Sequence, residues 1–205
     1  MSTMIQRYTA RERSNHWVVA IAFILAGLSG LALFHPAFFF LTNLFGGGPW
    51  TRILHPFIGV AMFLFFMAMA VRFWGRNRFT PADREWRKRI KDVLCNRDQG
   101  LPEVGKYNAG QKILFWLMVV SIPVLLVSGV VVWQPWFAPF FPIGLLRVAV
   151  VVHALAAWIM ILGIVVHVYA AIWVKGTVRA MTRGTVSAAW AKQHHRAWYR
   201  EMTGK

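Results

Sequence analysis

The stretch RVAVVVHALAAWIMILGIVVHVYAAIWVK, residues 147–175, decides the fold. It is one apolar run from Val148 to Val174, closed by Arg147 and Lys175, and it carries two histidines, His153 and His167. About 20 apolar residues cross about 30 Å of hydrocarbon. This run is long enough to cross with tilt or to extend past the bilayer. A ligand-capable side chain inside such a run is a functional candidate by default, because lipid is a costly place to keep one. The two histidines are fourteen residues apart. Fourteen steps of about 100° return to nearly the same helix face, about 21 Å further along. Between them that face carries Ala156, Ala157, Met160, Gly163 and Ile164. Most are small or flexible, which leaves room for flat macrocycles.

Three more runs of this kind precede it: Val18 to Phe34, Ile53 to Val71 between Arg52 and Arg72, and Ile113 to Trp133 after Lys112. The chain of 205 residues is 58% hydrophobic and 15% charged, against about a quarter charged in soluble domains. A globule of this size has too much surface to hide that much apolar material from water. The first run is longer than a secretory h-region, and Phe34-His35-Pro36 stands where a small-residue cleavage site belongs, so it reads as a retained helix. The expected fold is therefore all-α, a four-helix transmembrane bundle. Its helices lie at about 16–35, 53–74, 111–133 and 147–175, within a domain 16–174. An arm, 1–15, and a basic tail, 176–205, flank it.

The net charge of +16 suggests nucleic acid only if it forms a patch on a soluble domain. Here it flanks the apolar runs. The arm holds Arg7, Arg11 and Arg13, the connection from Arg72 to Lys112 eleven basic residues, and the segment from Lys175 onward seven. The other two connections hold only Arg52 and Arg147. The positive-inside rule puts the basic side, and both termini, in the cytoplasm. Trp17, Trp74, Trp116 and Trp173 fall at the cytoplasmic helix ends, and Trp50, Trp133 and Trp136 at the other, as interfacial aromatic belts do. The connection around Pro81 to Pro102 is expected to hold a short interfacial helix near Trp86 to Leu94. The tail reads as a basic amphipathic stretch on the membrane surface, touching lipid or other subunits rather than nucleic acid.

Orientation turns the histidines into depths. His16 lies at the inner end of the first helix and His55 at the outer end of the second. The fourth helix runs inward, so His153 is outer and His167 inner. Two pairs follow at matched depth: His55 with His153, and His16 with His167. On the first helix the His16 face continues through Ala20, Gly27 and Gly30, and Gly59 follows His55 by one turn. Two axial histidines per iron give a six-coordinate heme suited to electron transfer. The single cysteine, Cys95, excludes a Cys-x-x-Cys-His attachment site and an iron–sulfur cluster held by this chain alone, so the hemes are expected to be b-type. Zinc lacks carboxylate or thiolate co-ligands at these depths. His35 competes with His55 but sits at a loop end, and His194 and His195 read as surface residues of the polar tail.

Five stretches then carry a family likeness: ERSNHW (12–17), RILHPF (52–57), VGKYNAGQK (104–112), WVKGT (173–177) and AWAKQHHRAWYRE (189–201). Together, in this order and across the whole chain, they resemble the cytochrome b (gamma) subunit of bacterial respiratory formate dehydrogenases, with the cytochrome b subunits of nickel–iron hydrogenases as broader relatives. The resemblance implies an outer heme on His55 and His153 and an inner heme on His16 and His167. It implies a menaquinone site near His167 built from Asn108, Gly110 and Gln111; beside these, Lys106 or Tyr107 is placed to help deliver protons. It also implies an iron–sulfur beta subunit, a molybdenum or tungsten catalytic alpha subunit, a trimer of heterotrimers, and the bacterial inner membrane. Read by themselves, Asn108 and Gln111 are a helix-capping pair. The rivals are the cytochrome of a hydrogenase or another quinone-linked dehydrogenase, and a heme-free membrane anchor.

Overall fold

A computed structural model describes residues 3–95 and 100–204 of the chain. Four helices are long and apolar enough to cross a membrane: α1 (Ala10–Phe34), α2 (Gly48–Phe73), α5 (Ala109–Val131) and α6 (Ile143–Trp173). Between them lie α3 (Pro81–Lys88) and α4 (Ile90–Leu94). After α6 come α7 (Thr177–Thr182), α8 (Ala188–His194) and α9 (Arg196–Thr203). There are also two short strands, β1 (Met4–Gln6) and β2 (Thr185–Ser187), and three 3-10 helices, Pro36–Phe45, Gly75–Asn77 and Ala138–Phe140. Large apolar side chains stand exposed along all four long helices, among them Ile21, Val71, Val120 and Val166. Lipid, not water, is the solvent in which such a surface is stable.

The long helices begin earlier than their apolar runs. Thr9 and Glu12 form a capping box, the Thr9 N–H donating to Glu12 Oε2 at 2.7 Å and the Glu12 N–H to Thr9 Oγ1 at 3.3 Å. That satisfies donors a helix start leaves open, so α1 starts six residues before His16. Pro49 stands in the first turn of α2, where its missing N–H costs nothing. His55 accordingly lies two turns inside α2, and α6 gains a turn before Arg147.

The chain divides into two compact units. One unit comprises residues 14–69 and 117–166 and holds the greater part of the four long helices. The other comprises 1–13, 70–116 and 167–205. In this second unit the arm and the tail, at opposite ends of the sequence, fold together. β1 pairs antiparallel with β2 in the register Met4 to Ser187, Ile5 to Val186 and Gln6 to Thr185, a small addition to a mostly helical fold. Gly184 makes the turn into β2 at φ +81°. A side chain there would overlap the Arg13 guanidinium and the Tyr8 carbonyl. Ile5, Tyr8, Tyr107, Val186, Trp190 and Trp198 form the core of this unit. The tail is thus a packed element of the fold.

Arg7 is only 4% exposed. Its guanidinium lies 5.0 Å from the Trp190 ring centre and 4.9 Å from that of Trp198, within cation–π range. It donates to the Lys106 carbonyl and to His195 Nε2. His195 in turn donates from Nδ1 to the Gly105 carbonyl at 2.8 Å. The surface reading of His195 is therefore overturned: it is 2% exposed, and burial, with Arg7 beside it, pushes its pKa down to about 3. A neutral imidazole keeps a lone pair on Nε2 for Arg7, which a protonated one could not offer.

The connection before α5 also departs from expectation. Thr80 and Asp83 cap α3, with Pro81 in its first turn, so the helix starts before Trp86 and breaks at Arg89. Asp83 accepts a 2.6 Å bond from Lys112, both side chains being buried. Burial alone would raise the Asp83 carboxyl, but the bonds from Lys112 and Thr80 outweigh it and hold its pKa below the ordinary value. The pair therefore stabilises the unit fully above the ordinary carboxylate range and loses that contribution as pH falls through the lowered pKa. Asp83→Ala strands the Lys112 ammonium and should cost about 3 kcal/mol. Thermal denaturation in detergent at neutral pH should show a lower midpoint for it, with much of the loss recovered by the double variant Asp83→Leu, Lys112→Met.

Candidate heme site

In the first unit, His55 of α2 and His153 of α6 face one another, their ring centres 6.1 Å apart and their planes at 72°. Each ring is held by a serine from another helix. Ser29 of α1 lies 2.9 Å from His55 Nδ1, and Ser128 of α5 lies 3.0 Å from His153 Nδ1. The hydroxyl hydrogens are already committed: Ser29 donates to the Leu25 carbonyl at 2.7 Å and Ser128 to the Val124 carbonyl at 2.6 Å. With its hydrogen there, each Oγ accepts from an Nδ1–H, a role that the Ala26 carbonyl shares at His55 and the Leu125 carbonyl at His153, and the Nε2 lone pair is left free. This is the tautomer a metal-bound imidazole needs.

A glycine follows each serine and lets the ring come close. A Cβ on Gly30 would stand 3.2 Å from His55 Cε1, and one on Gly129 3.2 Å from His153 Cε1. Beside the rings is a cavity of about 330 Å³, lined by Gly27, Gly59, Ala157, Ile122 and Trp133 as well as both histidines. A Cβ built on Gly27 or Gly59 meets nothing within 4 Å, so open space lies above both backbones. The volume falls in the range of cofactor pockets, about 300–1,000 Å³.

These residues fit a heme. Two imidazoles on opposite sides of one metal, each bonded at about 2 Å with its ring centre roughly 1 Å further, would have centres about 6 Å apart, close to the observed separation. Among the described residues no group of three or more His, Cys, Asp or Glu gathers to hold a metal ion. A two-histidine donor set suits an iron whose other four positions are filled by a macrocycle, and it is too small for a closed zinc site.

The remaining candidates are placed as follows. His16 lies in the same unit, half-buried and edge-on to Trp17 at 5.5 Å. His167 is half-buried on the part of α6 that belongs to the second unit. His35 is exposed and caps the 3-10 helix Pro36–Phe45 by accepting the Ala37 N–H. His194 lies against Trp190. Asn108 and Gln111 form the reciprocal cap of α5: the Gln111 N–H donates to Asn108 Oδ1, and the Asn108 N–H to Gln111 Oε1, both at 3.0 Å. Gly110 packs under Trp86, 3.3 Å from where a Cβ would be. Tyr107 is buried, and burial, with Tyr8 next, raises its pKa well above the usual phenol value. Lys106 stands 4.8 Å above the Tyr8 ring, and burial lowers its pKa.

The profile for prokaryotic cytochrome b561 matches residues 7–184. The chain belongs to the prokaryotic cytochrome b561 family. This cytochrome is 48% identical over 198 residues to the cytochrome b556(fdo) subunit of formate dehydrogenase from Escherichia coli strain K12, covering 97% of this chain and 93% of that one. It is 45% identical over 201 residues to the nitrate-inducible cytochrome b556(Fdn) subunit of the same strain, covering 98% and 93%. It is 39% identical over 199 residues to the formate dehydrogenase cytochrome b556 subunit of Haemophilus influenzae, covering 97% and 84%. The likeness read from the five sequence stretches is thus borne out. With four apolar helices and this family, the cytochrome is a multi-pass membrane protein that carries heme b.

Sequence reading missed the two serines. The signal was there: a Ser-Gly pair precedes the histidine it serves by 26 residues in one case and 25 in the other. Filling the cavity should displace its occupant. Gly59→Leu is expected to lower the heme-to-protein ratio of the purified protein by removing heme from the His55–His153 site, while Gly144→Leu, with open space around it away from the cavity, leaves the ratio unchanged; a pyridine hemochrome assay reads both.

Proposed function

We propose that the chain is the diheme cytochrome b subunit of a formate dehydrogenase in the bacterial inner membrane. In this reading it carries electrons from a periplasmic iron–sulfur subunit to menaquinone at the cytoplasmic side. The observation that carries the proposal is the opposed His55–His153 pair beside a glycine-lined cavity. The names of the three relatives support formate dehydrogenase as the complex, which would also contain a molybdenum or tungsten catalytic subunit and assemble as a trimer of heterotrimers. The charge asymmetry of the connections supports both termini being cytoplasmic, which makes His55 and His153 the outer pair. The helical spacing of His153 and His167 on α6 supports a second, inner pair, His16 with His167, about 21 Å away.

Bound heme supplies a one-electron carrier at each pair. The protein's own residues fix the ligands, exclude water and receive the quinone. Asn108 and Gln111 spend their amide oxygens on the α5 cap, which leaves their NH₂ groups as donors for a quinone carbonyl. Both lie in the same unit as His167. Lys106, its ammonium disfavoured by burial, is suited to pass a proton from the cytoplasm to the quinone. Moving electrons inward against an inside-negative potential costs about 2.3 kcal/mol per charge per 100 mV. Taking protons for quinol from the cytoplasm while formate oxidation releases them outside would store that work as a proton-motive force.

Two substitutions test the reading. His153→Ala in the intact complex should remove the outer heme from the reduced-minus-oxidised spectrum and reduce formate-to-quinone activity to background, while formate oxidation with an artificial dye continues. A wild-type heme spectrum in that variant would overturn the axial assignment. Gln111→Leu should leave both hemes in place and raise KM for a menaquinone analogue by on the order of tenfold, for loss of one buried donor; an unchanged KM would remove Gln111 from the quinone site.

A further inference from the structure

We propose that Ser29 and Ser128 are positioning residues that fix the tautomer and ring orientation of His55 and His153 and hold down the reduction potential of the heme between them. The inference rests on the reading of these two histidines as an axial pair. It goes beyond that reading by assigning a function to two hydroxyls that touch neither the cavity's occupant nor any substrate.

The geometry is the same on both sides of the site. Ser29 is fully buried and Ser128 nearly so. Each hydroxyl bonds back to a carbonyl one turn earlier in its own helix, Ser29 to Leu25 and Ala26, Ser128 to Val124 and Leu125. That back-bond fixes the hydroxyl rotamer and leaves a lone pair aimed at the imidazole. The neighbouring glycine removes the Cβ that would hold the ring away, and the ring's Cε1 edge rests against its backbone. A ring gripped at Nδ1 and at Cε1 has little freedom to rotate about its own axis.

Two consequences follow. A metal-bound imidazole that donates from Nδ1 to an acceptor is a stronger base than one that does not. Stronger donation favours ferric over ferrous iron, so both serines lower the potential. The acceptor here is itself polarised, because its hydrogen is committed to a carbonyl. The second consequence concerns orientation. The ring planes are held at 72°. Nearly perpendicular imidazoles raise different iron dπ orbitals and leave them close in energy, whereas parallel imidazoles raise the same one. The ferric site should therefore give a strongly anisotropic low-spin resonance rather than a rhombic one.

The test uses the intact complex with Ser29→Ala, Ser128→Ala, and the conservative Ser29→Thr and Ser128→Thr, followed by potentiometric titration of each heme and low-temperature electron paramagnetic resonance. Each alanine variant should shift the outer-heme reduction equilibrium toward ferrous by on the order of tenfold, which for one electron is about 59 mV upward. The inner heme should not move, and the threonine variants should stay near wild type. The anisotropy of the outer signal should fall in the alanine variants. Loss of the outer heme in an alanine variant with retention in the threonine variant also supports the proposal. An unchanged or lowered potential, an equal shift in the threonine variants, or heme loss in both would overturn it. Failure of the underlying axial reading is seen separately, as an outer heme that persists in His153→Ala with both serines intact.

Discussion

Inside hydrocarbon, a polar atom without a partner costs several kcal/mol. The His55–His153 site is organised by that constraint. Each imidazole brings two nitrogens into lipid depth. The helices satisfy one and leave the other open toward the cavity. The serine that satisfies it would itself be a liability, so its hydrogen returns to the backbone of its own helix. The result is a closed account on three sides and one lone pair pointing at the cofactor's place. Glycines at Gly30 and Gly129 suit this arrangement, because a Cβ at either would stand 3.2 Å from the imidazole and press the ring away by a few tenths of an ångström.

The second unit follows a different physics. It has capping boxes at Thr80–Asp83 and Asn108–Gln111, a buried ion pair between Asp83 and Lys112, and a cation held among tryptophans. Bidentate pairing of Arg200 with Glu103, and of one Arg76 nitrogen with both Glu201 oxygens, adds exposed contacts, each worth little in water. These are the devices of a soluble protein. They belong where water is present on at least one side, and they build the surroundings of Asn108 and Gln111.

What could be read from the sequence divides along the same line. The four long helices were legible because hydropathy over twenty residues is a strong signal that no tertiary contact overrides. The histidine pairing of His55 with His153 was legible because charge asymmetry converts position into depth. Helix starts were less legible: Thr9–Glu12 is a clear capping box once seen, but it lies in a polar segment that hydropathy passes over. The β1–β2 pair could not be seen, since three residues per strand carry no period and the partners stand at opposite ends of the chain. His195 looked like a surface residue because its neighbours Lys192, His194 and Arg196 are polar. Only the fold of arm onto tail shows that Arg7 needs it. The serines were overlooked because a hydroxyl in an apolar helix is ordinarily satisfied by its own backbone, and theirs are, while also serving a second group.

The pairing of Met4 with Ser187 bears on the order in which the protein is made. The arm leaves the ribosome before the tail, and its partner strand follows roughly 180 residues later, which at 5–20 residues per second is roughly 10–40 s. Through that interval β1 has no strand to join, and Arg7 has neither His195 nor the tryptophans of the tail around it. All four long helices precede β2 in the chain, so the second unit can close only after the last of them has been synthesised. Completion of the arm is in effect a record that translation has passed the tail.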